Sequence, residues 1–187
     1  LHQKPDYQFI PHFFSEQEAD RLFQKLKNEL DWQQTFIKIY GKTVLEPRLT
    51  AYYGTQNYAY SGRINQAKPF SKSLLVIKNA IEEFQKVTYN AVLCNFYRHG
   101  LDSMGWHSDN EPELGPNPII ASVSLGAVRK FQFKNKIDKT LKHEILLNHG
   151  SLLIMYGNSQ SDWLHQIPKT KKDIGERINL TFRNIIS

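Results

Sequence analysis

His107 and Asp109 stand two residues apart in Gly105-Trp106-His107-Ser108-Asp109, and on extended backbone such residues point the same way. A second histidine from a distant strand, His165, would complete one face of a metal ion. Two imidazoles and one carboxylate on one face suit Fe(II), because the opposite positions stay open for a chelating co-substrate and dioxygen, whereas a closed four-ligand zinc site forbids redox chemistry. The spacing alone is weak, since 7 His and 18 acidic residues give roughly 0.7 such pairs by chance. The closing run Arg177-Ile178-Asn179-Leu180-Thr181-Phe182-Arg183 adds what the pair lacks: Arg177, Asn179, Thr181 and Arg183 share one face of a strand and Ile178, Leu180 and Phe182 the other. An edge strand with a solvated polar face has the same pattern. Two arginines and an amide aimed inward, however, carry a large desolvation cost unless an anion meets them, and a dicarboxylate such as 2-oxoglutarate would do so.

The elements that must hold these residues follow from periodicity. Ser15 with Glu18 is a capping box, and Ala19, Leu22, Phe23, Leu26 and Leu30 form one apolar stripe, so a helix is expected over Ser15 to Leu30. Leu74, Ile77, Ile81 and Phe84 give a second, over Ser71 to Val87. Between them, Thr35 to Tyr60 reads as short strands and hairpins punctuated by Gly41, Pro47 and Gly54. After the second helix, strands are expected at Ala91 to Tyr97, Ile119 to Leu125, Lys130 to Phe133, His143 to Leu147, Ser151 to Tyr156 and Arg177 to Ile185. In the first of these, Asn95 and Tyr97 share a face with Ala91 and Leu93, and so offer polar groups to the same interior as the arginines. Short strands behind two helices make an α+β fold built on a jelly roll.

The 187 residues are expected to form one domain. Hydrophobic content of 40% and charged content of 22% are those of a soluble globular protein, without an apolar run of the ~18 residues a membrane span needs. The lone Cys94, inside an apolar strand, excludes an internal disulfide, favours a reducing compartment and reads as core. A net charge of +6 favours polyanionic partners such as nucleic acid. Lysines gather in Lys134 to Lys142 and Lys169 to Lys172, either as solvated loops or as a phosphate rim. Tyr40, Tyr52, Tyr53, Tyr58 and Tyr60, between Lys38, Lys42, Arg48 and Arg63, suit half-buried sheet positions or stacking platforms for bases.

Asn95-Phe96-Tyr97, His107-Ser108-Asp109, the run Pro118 to Gly126, Gly150-Ser151-Leu152-Leu153, His165 and Arg177 to Arg183 together resemble the AlkB family of Fe(II) and 2-oxoglutarate dependent dioxygenases, in the right order from Tyr40 onward. The resemblance implies a double-stranded β-helix with an N-terminal nucleotide-recognition lid at about residues 35–70 and a catalytic core at about 88–187. It also implies oxidative demethylation of bases such as 1-methyladenine and 3-methylcytosine with Fe(II), 2-oxoglutarate and O2, releasing formaldehyde, succinate and CO2. His107, Asp109 and His165 would be catalytic metal ligands; Asn95, Tyr97, Arg177, Asn179, Thr181 and Arg183 would surround the co-substrate, Arg177 at its distal carboxylate and Arg183 near its proximal end.

Ile39-Tyr40-Gly41-Lys42, Pro47-Arg48, Tyr58 to Gly62 and Asn110-Glu111 resemble the members that act on duplex DNA, with Tyr40 as a finger filling the gap left by a flipped base. A Tyr stands here where Phe is usual in the vertebrate members, and Asn110 where Asp is usual. Tyr40, Gly41, Lys42, Arg48, Tyr58, Tyr60, Ser61, Asn110 and Glu111 are thus the implied substrate-binding residues, with Glu111 and aromatic faces favouring a cationic methylated base. The expected partner is methylated DNA, duplex before single strand, with RNA open; the expected state is a monomer in the nucleus of a eukaryote or the cytoplasm of a bacterium. Two alternatives stay open: a 2-oxoglutarate-dependent hydroxylase of RNA, protein or a small molecule, and a non-catalytic metal or nucleic-acid binding module.

Overall fold

The structure, a computed structural model, describes residues 3–39, 41–60 and 63–186. In chain order the elements are β1 (Tyr7–Ile10), α1 (Glu16–Glu29), β2 (Phe36–Ile39), β3 (Lys42–Leu45), β4 (Leu49–Gly54), β5 (Tyr58–Tyr60), β6 (Arg63–Asn65) and α2 (Lys72–Gln85). The strands β7 (Ala91–Tyr97), β8 (Met104–His107), β9 (Ile120–Gly126), β10 (Arg129–Asn135), β11 (Lys142–Leu147), β12 (Ser151–Met155), β13 (Trp163–Ile167) and β14 (Arg177–Arg183) follow. They form a jelly roll: a major sheet ordered β1-β12-β9-β14-β7-β4 and a minor sheet ordered β11-β10-β13-β8, with every pairing within them antiparallel.

Alternation along the major sheet divides it into a helix-facing and a site-facing side. Val92, Cys94 and Phe96 of β7, Ala121, Val123 and Leu125 of β9 and Ile178, Leu180 and Phe182 of β14 bury against Ala19, Leu22 and Leu26 of α1 and Leu74, Ile77 and Ile81 of α2. The opposite side, with Tyr97, Leu153 and Met155, meets Phe131, Phe133, Leu147, Trp163 and Ile167 of the minor sheet in a second core. Full burial of each large side chain contributes about 1.5–3 kcal/mol, so the two cores hold the sheets in fixed registry around what lies between them.

The capping box forms as expected: Ser15 Oγ accepts from the Glu18 amide at 3.4 Å, and the Ser15 amide donates to Glu18 Oε2 at 3.1 Å. The second helix ends two residues before Val87, because Lys86 takes a left-handed conformation (φ 58°) as its C-cap. Phe84, expected on its apolar face, is half exposed and meets Phe13 edge to face at 5.5 Å. Strand β14 ends at Arg183 rather than Ile185, since the Asn90 side chain takes over the backbone groups of Ile185 (2.8 Å to both N and O). Tyr52 and Tyr53 are core residues rather than stacking platforms. No helix among the described residues is long and apolar enough to cross a membrane.

Candidate active site

The minor sheet places the two histidines. Antiparallel pairing of β8 with β13 sets His107 directly opposite His165, with ring centroids 4.3 Å apart. Asp109 lies two residues beyond β8, where its amide donates to the buried Gln160 Oε1 at 2.9 Å. Its carboxylate oxygens stand 4.0 Å from His107 Nε2 and 3.9 Å from His165 Nε2, and the three donor atoms all lie within 4.8 Å of one another. His107 Nδ1 faces the Gly105 carbonyl at 2.8 Å; only a protonated nitrogen is at ease there, which leaves the Nε2 lone pair toward Asp109. His165 is stacked on Phe131 at 5.2 Å.

Protonation states suit metal ligation. Burial drives His165 down to about 3, with the neighbouring His107 adding to the shift, and burial also lowers His107. Burial by itself would raise Asp109, but the positive charge of Arg183, joined by the two histidines as they protonate in acid, prevails and holds it at about 2. Arg183 donates from Nη2 to Asp109 Oδ1 at 2.9 Å, both side chains being buried. At neutral pH the site therefore presents one carboxylate and two neutral imidazoles, which is the ionisation a divalent metal requires. Two histidines and one carboxylate converging from one side fit Fe(II) with positions left open.

The major sheet supplies the other end of the cavity. On β14 and β7, Arg177 is registered against Tyr97 and Asn179 against Asn95, so all four share the site-facing side. Arg177 is fully buried; Nη2 donates to Ser124 Oγ at 2.9 Å, but Nε and Nη1 have no hydrogen-bond partner among the described residues. Burial pulls its pKa down to about 10, opposed by Tyr97 and reinforced by Arg129. A guanidinium left with two buried, unmet donors is shaped to receive a carboxylate.

Asn179 and Thr181 also line the cavity, but their polar groups are already engaged. Asn179 Nδ2 donates to Ser122 Oγ (2.8 Å) and the Val123 carbonyl (3.0 Å), and its Oδ1 accepts from Thr181 Oγ1 (3.1 Å). They shape the wall rather than aim free donors at a ligand.

Arg48 requires a correction. Expected as a substrate-side, phosphate-contacting residue, it is 2% exposed and inside the protein. Its Nη2 pairs with Glu46 Oε1 at 2.5 Å, Nη1 donates to the Ser103 carbonyl at 3.1 Å, and Nε donates to Asn95 Oδ1 at 2.7 Å. Because an arginine N–H can only donate, Asn95 must turn its oxygen to Arg48 and keep its Nδ2 donors for the cavity. Glu46 Oε2 also accepts from Thr35 Oγ1 at 2.9 Å, closing the base of the β2–β3 hairpin, so one chain of bonds runs from that hairpin to Asn95. Arg48→Ala should therefore weaken 2-oxo acid binding and lower thermal stability, by about 3–5 kcal/mol for the stranded Glu46, while leaving the salt dependence of nucleic-acid binding unchanged. A reduced salt slope with unchanged melting temperature would contradict this.

Gly41 takes φ +77° at the hairpin turn, a conformation that favours glycine, and Lys42 is exposed at the start of β3. Tyr40 and Ser61 lie outside the described residues, as do the side chains of Tyr58 and Tyr60. Asn110 is exposed, its Oδ1 accepting from Ser108 Oγ at 3.2 Å, and Glu111 precedes the turn at Pro112–Leu114. Gln160, Ser124 and Phe131 are site residues that sequence reasoning missed; alternation with Phe133 was the available signal for Phe131 and alternation with Ser122 for Ser124, and for Gln160 there was none.

The 2OG-Fe(II) oxygenase superfamily model matches residues 6–183. Alpha-ketoglutarate-dependent dioxygenase alkB homolog 3 of Bos taurus is 43% identical over 94% of this chain and 64% of its own length. The chain thus spans a little under two thirds of that relative. DNA oxidative demethylase ALKBH2 of Homo sapiens is 36% identical over 92% of this chain and 71% of its own. The solved structure of OsALKBH1 superposes with a TM-score of 0.64 at 21% identity, covering 97% of this chain and 99% of that one, a likeness of fold. With that fold and this His-Asp-His grouping, the chain belongs to the AlkB family within the 2OG-Fe(II) oxygenase superfamily.

Proposed function

We propose that this chain oxidatively demethylates N-alkylated nucleobases in DNA, such as 1-methyladenine and 3-methylcytosine, using Fe(II), 2-oxoglutarate and O2 and releasing formaldehyde, succinate and CO2. The observation that carries it is the buried Arg177, two of its nitrogens unmet, in the same cavity as the His107, Asp109 and His165 donors. The substrate class rests on the ALKBH2 relative, whose name is that of a DNA oxidative demethylase.

In this reading His107, Asp109 and His165 hold Fe(II), which when bound with 2-oxoglutarate and O2 supplies the oxidising power. Arg183 keeps Asp109 ionised and oriented. Arg177, with Tyr97 and the Nδ2 of Asn95, would take the distal carboxylate and so fix the register of the co-substrate in the cavity. The two cores exclude water from the cavity walls, which strengthens each of these charge-assisted bonds. No protein acid or base is needed, because a hydroxymethylated base sheds formaldehyde by itself.

The whole chain acts as one domain, with residues at about 35–70 as a nucleotide-recognition lid over the core at about 88–187. Tyr40, Gly41, Lys42, Tyr58, Tyr60, Ser61, Asn110 and Glu111 receive the flipped base and its flanking backbone, in whichever compartment holds the DNA. Support for duplex DNA comes from the β2–β3 ribbon, whose turn carries Gly41 between the strand that ends at Ile39 and the one that starts at Lys42.

Anaerobic addition of Fe(II) and 2-oxoglutarate should produce the coloured chelate expected of this co-substrate on Fe(II), and its absence would favour a non-catalytic binding module. Tyr40→Ala should cut repair of duplex DNA about tenfold, from ~1–3 kcal/mol of lost stacking, with little effect on single strands where no helical gap needs filling. An equal loss on both would make Tyr40 a general stacking platform, and no loss on either would withdraw the duplex preference. Lys42→Ala should instead weaken binding to all sequences and flatten the salt dependence.

A further inference from the structure

Two arginines converge on one tyrosine at the co-substrate end of the cavity. The guanidinium carbon of Arg177 lies 5.0 Å from the Tyr97 ring centroid, and that of Arg129, the first residue of β10, lies 5.5 Å from it. Arg129 is 3% exposed. Its Nη2 donates to the carbonyls of Asp102 (2.9 Å) and Pro168 (2.7 Å), with the Gly100 carbonyl at 3.5 Å. Those carbonyls belong to the loop after β7 and to the residue that follows β13. Asp102 turns its carboxylate to Arg98 instead, at 2.8 and 3.0 Å. Among the described residues, neither Arg129 nor Arg177 forms an ion pair with a carboxylate.

Two buried cations that form no ion pair among the described residues, acting on the same ring, are costly unless an anion is brought to them. Carbonyl oxygens meet Nη2 of Arg129, while its charge has the Asp102 carboxylate only as a neighbour without a direct pair. That charge is felt across a buried part of the protein, where the effective dielectric is lower than in water and a unit charge several ångströms away still acts. The arrangement resting on Arg129 therefore raises the positive potential where the far end of the co-substrate lies, without Arg129 touching it.

We propose that Arg129 is a positioning and specificity-determining residue which, through Tyr97 and Arg177, makes the pocket select 2-oxo acids that carry a second carboxylate. This rests on the dioxygenase reading above and deepens it. A structural role alone would have Arg129 clasp three backbone carbonyls and do nothing to discriminate between ligands. The two roles separate in experiment, because a clasp acts on every 2-oxo acid alike, whereas a charge acts on the one whose far end is ionised.

The probes are 2-oxoglutarate and 2-oxopentanoate, which share a five-carbon 2-oxo acid chain and differ in the distal carboxylate. Their dissociation constants from the Fe(II)-loaded protein are read anaerobically from the chelate absorbance and, independently, from ligand-induced shifts in melting temperature. Arg129→Met should reduce the preference for 2-oxoglutarate by about tenfold while changing the affinity for 2-oxopentanoate by less than about twofold. Arg129→Lys, which keeps the charge but loses the Nη2 bonds to the carbonyls, should retain the preference within about threefold even if it melts earlier. Should the Met variant fail to fold, Arg129→Gln keeps an amide donor for the carbonyls and carries the same expectation. Equal weakening of both acids in the uncharged variant, or loss of the preference in Arg129→Lys as complete as in Arg129→Met, would overturn the proposal. If the unmutated protein forms a chelate with neither acid, the dioxygenase reading itself fails, and the role of Arg129 with it.

Discussion

Asp109→Asn should reduce both 2-oxoglutarate turnover and base repair by at least about 100-fold, since changes merely to groups that orient metal ligands already cost 10- to 100-fold. Asp109 is the only anionic donor of the three, and without it two neutral imidazoles must hold a divalent ion. The asparagine variant is the cleaner one. Asp109→Ala would also take from the buried Arg183 the carboxylate now paired with it at 2.9 Å, at a stability cost of about 3–5 kcal/mol. Asparagine keeps an acceptor oxygen for Arg183 and so separates metal loss from unfolding. Iron content after dialysis and oxidative decarboxylation at limiting iron check this together. Decarboxylation retained at the unmutated rate, in a protein that melts normally, would remove Asp109 from the metal.

The second large effect is at Arg177. Replacing it with leucine should weaken 2-oxoglutarate binding by about 2–5 kcal/mol, roughly 30-fold or more, because a desolvated charge-assisted pair is lost and a carboxylate is left unmatched. Folding should suffer little by comparison. Arg177 donates from Nη2 to Ser124, and its Nε and Nη1 have no partner among the described residues, so leucine removes a buried charge that few hydrogen bonds offset. High co-substrate concentration should partly restore turnover. Titrations monitored through the Fe(II) chelate give the comparison, and an unchanged affinity would mean that the polar face of β14 does not meet the co-substrate.

Much of this site was legible because it lies on strands long enough to show their period. Strand β14 spans seven residues with strict alternation, and its polar face is the one that lines the cavity. Strand β7 was equally plain, and the Ser15-Glu18 cap marked the first helix. What sequence could not show is the pairing of β8 with β13. Each is short, β8 reads Met-Gly-Trp-His with no strand pattern of its own, and only tertiary pairing brings His107 opposite His165. Strand β1, four residues between Pro5 and Pro11, was missed for the same reason. Arg48 was misplaced because an arginine after a proline in a basic, tyrosine-rich segment reads as surface. Its burial depends on Glu46, two residues away, and on Asn95, on another strand, neither of which advertises the partnership locally. Arg183 shows the reverse: its inward face was readable, yet its bond to Asp109, 74 residues earlier, was not.

The central claim is that metal and 2-oxo acid are used together to remove a methyl group from a nucleobase. The most direct test is product stoichiometry, with the protein, Fe(II) and 2-oxoglutarate incubated aerobically with oligodeoxynucleotides carrying 1-methyladenine or 3-methylcytosine, in matched single-stranded and duplex forms and beside an RNA control. Succinate, formaldehyde and unmethylated base should appear in equal amounts, and none should form without Fe(II) or with Asp109→Asn. Succinate formed while every methylated base stays intact would contradict the account, leaving a 2-oxoglutarate-dependent oxygenase whose substrate is not a nucleobase.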